Sequence, residues 1–562
     1  MSTLFGSIHI GARSLMAQLS AMRVIGHNIA NANTQGYTRQ EVVLQSGVPD
    51  MTSVGPIGTG VETVGVRQIR DGFVEARLRS GMETLAQWEK KSEILGELEM
   101  IFAEPSDTGL AATMTEFWNR WRDLAGNPEE HGLRVSVIEQ GTTMANTFQR
   151  IHSDLEGLQE NLDETLELSA TEVNTYLRQI AALNDQIQTA EMSGGVATDL
   201  RDRRQVLLQQ LSTFMDVRTE DAESADLRII SHGQFCIDGG HYMQLVVERN
   251  SDTGMREVHW DETGVDLVVE SGSIYSALEG RDSTIVSYMD DLSELARDIV
   301  LAVNRVHSSG RGTADFSSIT SGNVVNDTAV ALSNMTETGL ANAAVSGSFQ
   351  LLVTDSNGHT ETYTIPILDG MVESLDDLAQ VLDGAGVPNM SASISSGRLT
   401  MTADAGYTFA FANDTSDVLC ALGINTFFTG SGADDMAVAS AVAGDPRLVA
   451  AGLSSDPGDG SNARAMAALE DSLTMSSGRW SFADYYRDMV VGLGVAVQET
   501  GRFAEGQEAV LDELVQRREA ISGVSVDEES ANIIKYQRAY EASAQFIAAV
   551  SEMIEYMLLQ LT

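Results

Sequence analysis

Zinc chemistry would fall to His232, Cys236 and His241, the tightest grouping of imidazole and thiol in the chain, beside Gly239 and Gly240. Zinc takes about four ligands, and no Cys-x-x-Cys or His-Glu-x-x-His accompanies these three. Alternation along a strand would also send residues 232 and 241 to opposite faces unless a turn intervenes. Calcium chemistry would fall to Asp456, Asp459 and Gly460. They lack the Asp-x-Asp-x-Asp-Gly spacing and the closing Glu, and read as a loop ahead of a helix. No Gly-x-Ser-x-Gly, no P-loop and no Gly-x-Gly-x-x-Gly between strand and helix is present. The 81 acidic residues could hold an acid/base pair, but nothing singles one out. The chain therefore reads as a non-enzyme with no catalytic, metal or cofactor site.

A chain of 562 residues is long enough for two to four domains, and 43% hydrophobic with 21% charged residues is ordinary for globular domains. The formal net charge of −46 is not ordinary. A surface this acidic repels nucleic acid and anionic lipid, and its plain consequence is solubility. Cys236 and Cys420 stand far apart, which excludes a disulfide framework and leaves one bridge or two buried thiols. No run approaches the ~18 apolar residues of a membrane span. Met1 to Gly11 has neither a basic start nor a sustained apolar core, so it is no Sec signal, and taken alone this implies a cytoplasmic protein.

Any function must therefore reside in how the elements pack. The order is helix, mixed, β, helix, an α+β multidomain chain with helical parts at both ends. From Ser2 to Ala32 apolar residues recur at Leu4, Ile8, Leu15, Leu19, Met22, Ile25 and Ile29; Ile8, Leu15, Met22 and Ile29 repeat every seven. At the other end Ile533, Tyr540, Ile547, Ile554 and Leu561 do the same, with Tyr536, Ser543, Val550 and Met557 as a second column. Seven-residue repeats are coiled-coil seams. Residues 1–40 carry Arg13, Arg23 and Arg39 and no acid, whereas the last segment carries Asp527, Glu528, Glu529, Glu541, Glu552 and Glu555. Seams of opposite charge are natural partners. The expected organisation is a terminal coiled-coil part from 1–60 and 525–562, and a mainly helical part from 61–322 and 431–524. The helical part carries a small β subdomain near 225–270, and residues 323–430 form an inserted, outward-facing β-rich domain. In the helical part Leu110, Met114, Phe117, Trp118, Trp121 and Leu124 form a core stripe, capped by Ser106 or Asp107 and stopped at Asn127-Pro128. In the insert, strands at 349–353 and 363–367 flank an Asp355-Ser356-Asn357-Gly358 turn, and Leu399 and Met401 pair with Tyr407, Phe409 and Phe411.

The segment Asn28-Ile29-Ala30-Asn31-Ala32-Asn33-Thr34-Gln35-Gly36-Tyr37-Thr38-Arg39-Gln40 resembles the N-terminal signature of bacterial flagellar axial proteins (rod, hook and hook-associated). The motif positions are Asn28, Asn31, Asn33, Gly36, Tyr37, Thr38, Arg39 and Gln40, and the run from Tyr37 to Val42 is closest to the hook-associated members of the hook–filament junction. The family usually has Pro where this chain has Gln35, which costs some turn rigidity. Glu104 to Leu110, Phe117-Trp118 through Pro128, Leu422 to Gly430 and Val526 to Tyr540 also resemble that family, so the likeness spans the chain. It implies an extracellular structural subunit of the flagellum. Such a subunit is exported unfolded, without a cleaved signal, by the flagellar type III apparatus, and forms the hook–filament junction on which the filament assembles. It implies as partners copies of itself in a polymeric ring, neighbouring hook and junction proteins, and an export chaperone on the C-terminal helix. Leu4, Ile8, Leu15, Met22 and Ile29 would pack on Ile533, Tyr540, Ile547, Ile554 and Leu561, within and between subunits. The alternatives are a sister axial protein or an added glycan- or cell-binding role for the β insert.

Overall fold

The computed structural model describes residues 2–52, 55–192, 194–220, 224–368, 370, 372–383 and 386–561. Its long helices are α1 (Ser2–Ala30), α2 (Gly72–Phe102), α3 (Leu110–Gly126), α4 (His131–Glu191), α5 (Thr198–Ser212), α6 (Ile285–Ser308), α7 (Phe482–Ser522) and α8 (Val526–Leu561). Strands β1 (Gln40–Ser46) and β2 (Val61–Gln68) pair antiparallel after α1. The other described strands form small antiparallel sheets, and the architecture is mixed α+β with helix predominating. The chain divides into two compact units, one of Met1–Ile94, Asn161–Gly280 and Gln498–Thr562, the other of Leu95–Glu160 and Arg281–Val497.

In the first unit a core gathers Leu177, Ile180, Leu211, Leu227, Ile237 and Trp260 under a four-stranded sheet spanning Arg218 to Tyr242. Cys236 is buried there, and burial pushes its thiol up to about 12. His232 lies between Asp216 and Glu270, and His241 sits on Glu262 at 2.9 Å, so the three candidate zinc ligands face different partners. α1 packs on both β1 and β2, with Ile10 against the Gly60 backbone.

In the second unit α3 buries Leu110, Met114, Phe117, Trp118, Trp121 and Leu124, the stripe its periodicity predicts. The helix starts at Gly109 without a Ser106 or Asp107 cap; the Glu104 carboxylate reaches forward to accept the Ala111 N–H at 3.0 Å. A carboxylate suits that positive end of the helix dipole and displaces the shorter capping residues. Asp459 accepts the N–H groups of Leu453, Ser454 and Ser461, so its oxygens organise the loop rather than face an ion. The β region buries Phe349, Leu351, Val353, Ile365, Ile367, Phe409 and Phe411 on one core. Its Asp355–Gly358 turn joins the strands Gly347–Asp355 and Thr360–Ile367 as expected. The expected pairing of 399–401 with 407–411 is corrected. Arg398–Ala403 pairs with Met390–Ser395 and with Ser318–Thr320, while Tyr407–Ala412 pairs with Gly347–Asp355 in a separate sheet. Gly406, at φ +91°, turns the chain from one sheet to the other.

His307 closes this unit's core. Its Nδ1 lies 2.7 Å from the Asn425 carbonyl and its Nε2 accepts the Ala450 N–H at 3.0 Å, which assigns the neutral Nδ1–H tautomer. Asn304 alongside bonds the backbone of both Phe427 and Phe428. Burial pulls the His307 pKa from 6.5 down to about 4. A group depressed in the fold stabilises fully above its unfolded value and withdraws that stability as pH falls. The loss is therefore spread between pH 6.5 and about 4 and totals about 3 kcal/mol. Amide exchange at Phe427 and Phe428 should show that decline, with a smaller slope in His307→Gln; a flat profile in the natural protein contradicts it.

Candidate assembly site at the chain termini

The end of α1 is tied off by its own side chains. The Asn31 backbone carbonyl accepts the Thr34 N–H, and the Thr34 carbonyl accepts the Tyr37 N–H. Asn31 Nδ2 donates to the His27 carbonyl, and its Oδ1 accepts the Thr34 hydroxyl. Gly36 sits at φ +77° with Val206 so near that a Cβ would lie 2.3 Å from it, so both conformation and space demand glycine there. Asn33 is exposed and lies in the same turn.

Asn28 is the hub that joins this turn to the rest of the unit. It is fully buried; its Oδ1 accepts the Gln40 N–H at 3.0 Å and the Tyr37 hydroxyl at 2.8 Å. Its Nδ2 donates to the Gln40 carbonyl at 2.9 Å and to Glu529 Oε2 at 3.3 Å. Every polar capacity of one amide is thereby spent on fastening α1 to β1 and to the first turn of α8. Arg39 completes the link. Its Nε donates to Glu529 Oε1 at 2.8 Å, its Nη1 to Glu528 at 3.2 Å, and its backbone N–H to the Ser522 carbonyl. The Glu529 side chain is only 2% exposed, so this carboxylate is a buried charge paired and hydrogen-bonded from two directions.

A second carboxylate group holds the other side of the turn. Asp202 on α5 accepts the Thr38 N–H, Gln68 Nε2 and Arg70 Nη2, while Asp199 accepts Gln40 Nε2 at 2.9 Å and approaches His27 at 3.2 Å. Burial first, then Asp199, Asp202 and Glu529, push the Tyr37 hydroxyl well above the usual phenol range, so it stays a donor.

Beyond this knot α1 and α8 run side by side in opposite directions. Ser14 Oγ meets Ser543 Oγ at 2.8 Å, and Gly11 faces Ile547 so closely that a Cβ would lie 2.4 Å from it. The residues marked by the seven-residue repeat are only partly covered. Ile8, Leu15, Met22 and Ile29 are half-buried, as are Ile533, Ile547 and Ile554; Tyr540 is 37% exposed. The side chains of Leu4 and Leu561 lie outside the described residues. Gly11, Ser14 and Asn28, in the neighbouring column of α1, touch α8. Sequence reasoning missed Asp199 and Asp202, which stand in an Arg-rich polar run without any motif spacing, and saw Glu529 only as a charge at a helix start.

Three family models match segments of the chain. Residues 95–317 match the helical domain of flagellar hook-associated protein FlgK. Residues 8–38 match the flagella basal body rod protein and 515–561 the C-terminal part of flagellar basal body rod FlgEFG proteins. The flagellar hook-associated protein 1 of Bacillus subtilis is 27% identical over 573 residues, 99% of this chain and 98% of its own. The chain is thus similar to flagellar axial proteins along nearly its whole length. The Salmonella typhimurium protein of the same name is 24% identical over 97% of this chain and 98% of its own. The flagellar hook junction protein FlgK from Burkholderia pseudomallei shares the fold, with a TM-score of 0.54 at 14% identity, over 79% of this chain and 100% of that one. The two rod-type matches fall on α1 with its Asn-rich turn and on α8, the elements that the Asn28–Arg39–Glu529 knot joins. No described helix is long and apolar enough to cross a membrane.

Asn28→Ala should leave the Gln40 amide and the Glu529 carboxylate under-bonded in a buried site, at a cost of roughly 2–4 kcal/mol. Amide exchange should rise at Gln40 and along the first turns of α8; unchanged protection at both would contradict the hub role.

Proposed function

We propose that this chain is a structural subunit of the bacterial flagellum that forms the junction between hook and filament and is required for filament assembly and motility. One observation carries the reading. The two segments that match rod-type family models are distant in sequence, yet they meet in an antiparallel pair fastened by a buried carboxylate. A protein that only needed a compact monomer has no use for large apolar side chains left facing water along such a pair. Here Met16 is 70% exposed on α1, and Phe546, Met553 and Tyr556 are 45%, 54% and 64% exposed on α8. Exposed apolar strips of this kind mark surfaces that other chains cover.

In this reading the termini form a coiled coil, and their outward apolar residues meet neighbouring copies in a ring and the adjoining hook and junction proteins. The same strip on α8 needs shielding before export, which supports an export chaperone on that helix. The mature subunit then stands outside the cell, having left through the flagellar export apparatus without a cleaved signal. The name shared by the relatives matched over 98% of their length, flagellar hook-associated protein 1, supports the junction over a rod or hook position. Deleting residues 527–562 from the gene should abolish incorporation into flagella and swimming. The core around Phe349, Phe409 and Phe411 contains nothing from the deleted stretch and should stay folded. Motile cells with complete filaments would refute the assignment.

A further inference from the structure

The pairing of α1 and α8 is not the one that hydrophobicity alone selects. The contacts at Gly11, Ser14 and Asn28 fall at heptad spacing, which puts Gln18, Ala21 and Ile25 on the same face of α1. That face is small and polar. Among the described side chains it holds one large apolar residue, Ile25, and Gln18 Oε1 is buried in it without a hydrogen-bond partner. The adjoining face, one position further along the helix, carries Ile8, Leu15, Met22 and Ile29, and each of these remains half-buried at the rim. Turning α1 by part of a turn would bring four large apolar side chains onto α8 in place of Ser14, Ala21 and Asn28. Counted on the α1–α8 face alone, transfer free energy favours the turned arrangement. The packing of α1 on β1 and β2 and the polar contacts along the pair oppose it.

Two side-chain polar contacts between the helices stand out among the described residues. Ser14–Ser543 is a half-buried hydroxyl pair, too weak to outweigh four apolar side chains. The other is Glu529, bonded by Arg39 and Asn28, whose burial makes any arrangement that strands it costly. If α1 turned, Asn28 would leave Glu529 and would abandon the Gln40 backbone as well. A single buried polar residue in a helix seam commonly fixes which faces meet at some cost in stability.

We propose that Glu529 is the specificity-determining residue of this pairing: clasped by Arg39 and Asn28, it selects the small, polar face of α1 over the more apolar face beside it. The inference concerns which faces meet within one chain and stands apart from where the chain assembles.

Cysteine pairs in the purified full-length protein report the two arrangements. Ser14→Cys with Ser543→Cys reports the observed face, and Leu15→Cys with Ser543→Cys reports the turned one. With Glu529 present, oxidation should give the 14–543 bridge and little of 15–543. In Glu529→Leu, which keeps an apolar side chain at the seam and so favours continued pairing, the ratio of the first bridge to the second should fall by about tenfold or more. Glu529→Gln keeps the Asn28 bond without the charge and should fall between. A ratio unchanged in Glu529→Leu overturns the proposal. So does the loss of both bridges in that variant, which would make Glu529 a stabilising residue only, or failure of the 14–543 bridge to form with Glu529 in place.

Discussion

A carboxylate removed from water must be paid for by its partners, and in this chain those partners come from the opposite end of the sequence. Glu529 is buried at the first turn of α8, and its hydrogen bonds come from Arg39 and Asn28. Neither group would be so placed without the turn after α1, and that turn is set by Asn31, Thr34, Gly36 and Tyr37. The Asn-rich motif is therefore a device for bringing an amide and a guanidinium to one point. Breaking such an arrangement from either side leaves a buried charge unpaired, a penalty of several kcal/mol.

The arrangement also accounts for what the two helices leave outside. α1 is packed on one side by β1 and β2, with Ile10 against Gly60, and on another by α8. With both flanks occupied and its small face turned inward, Met16 and Leu19 remain in water, as do Phe546, Met553 and Tyr556 on α8. In a monomer those side chains are a liability; in the proposed polymer they would be the contact surface. The interior of the second unit is closed differently, by side chains that bond backbone carbonyls and amides, the buried Arg134 guanidinium on the Pro128 and Val449 carbonyls among them. Neutral His307, Asn304 and Asn425 bond backbone around the rings of Phe427 and Phe428, which suits a part that folds by itself.

Much of this was legible in the sequence where one physical rule dominates. The aromatic stripe of α3 is core because period and hydrophobicity agree, and the Asp355–Gly358 hairpin comes from turn chemistry. The motif from Asn28 to Gln40 was recognisable as a unit, and its residues do converge. Its partners were not legible. Asp199 and Asp202 act through the tertiary position of α5, which no local spacing encodes. The apolar repeat of α1 was clear, yet Gly11, Ser14 and Asn28 meet α8 from the column beside it, where a hydrogen bond to the buried Glu529 carboxylate, which no apolar period encodes, ties Asn28 in place. The strand Arg398–Ala403 likewise pairs outside its sequence neighbour because Gly406 sends the chain into the other sheet.

If Glu529 is what joins the two ends of one chain, it must still do so when the protein is in its flagellar place. A density map of flagella isolated from cells, at a resolution that shows side chains, tests this most directly. The expected map has α1 and α8 antiparallel, with the Glu529 carboxylate against Arg39 and Asn28. Helices that lie apart, or that pair with Glu529 turned to solvent, would contradict it.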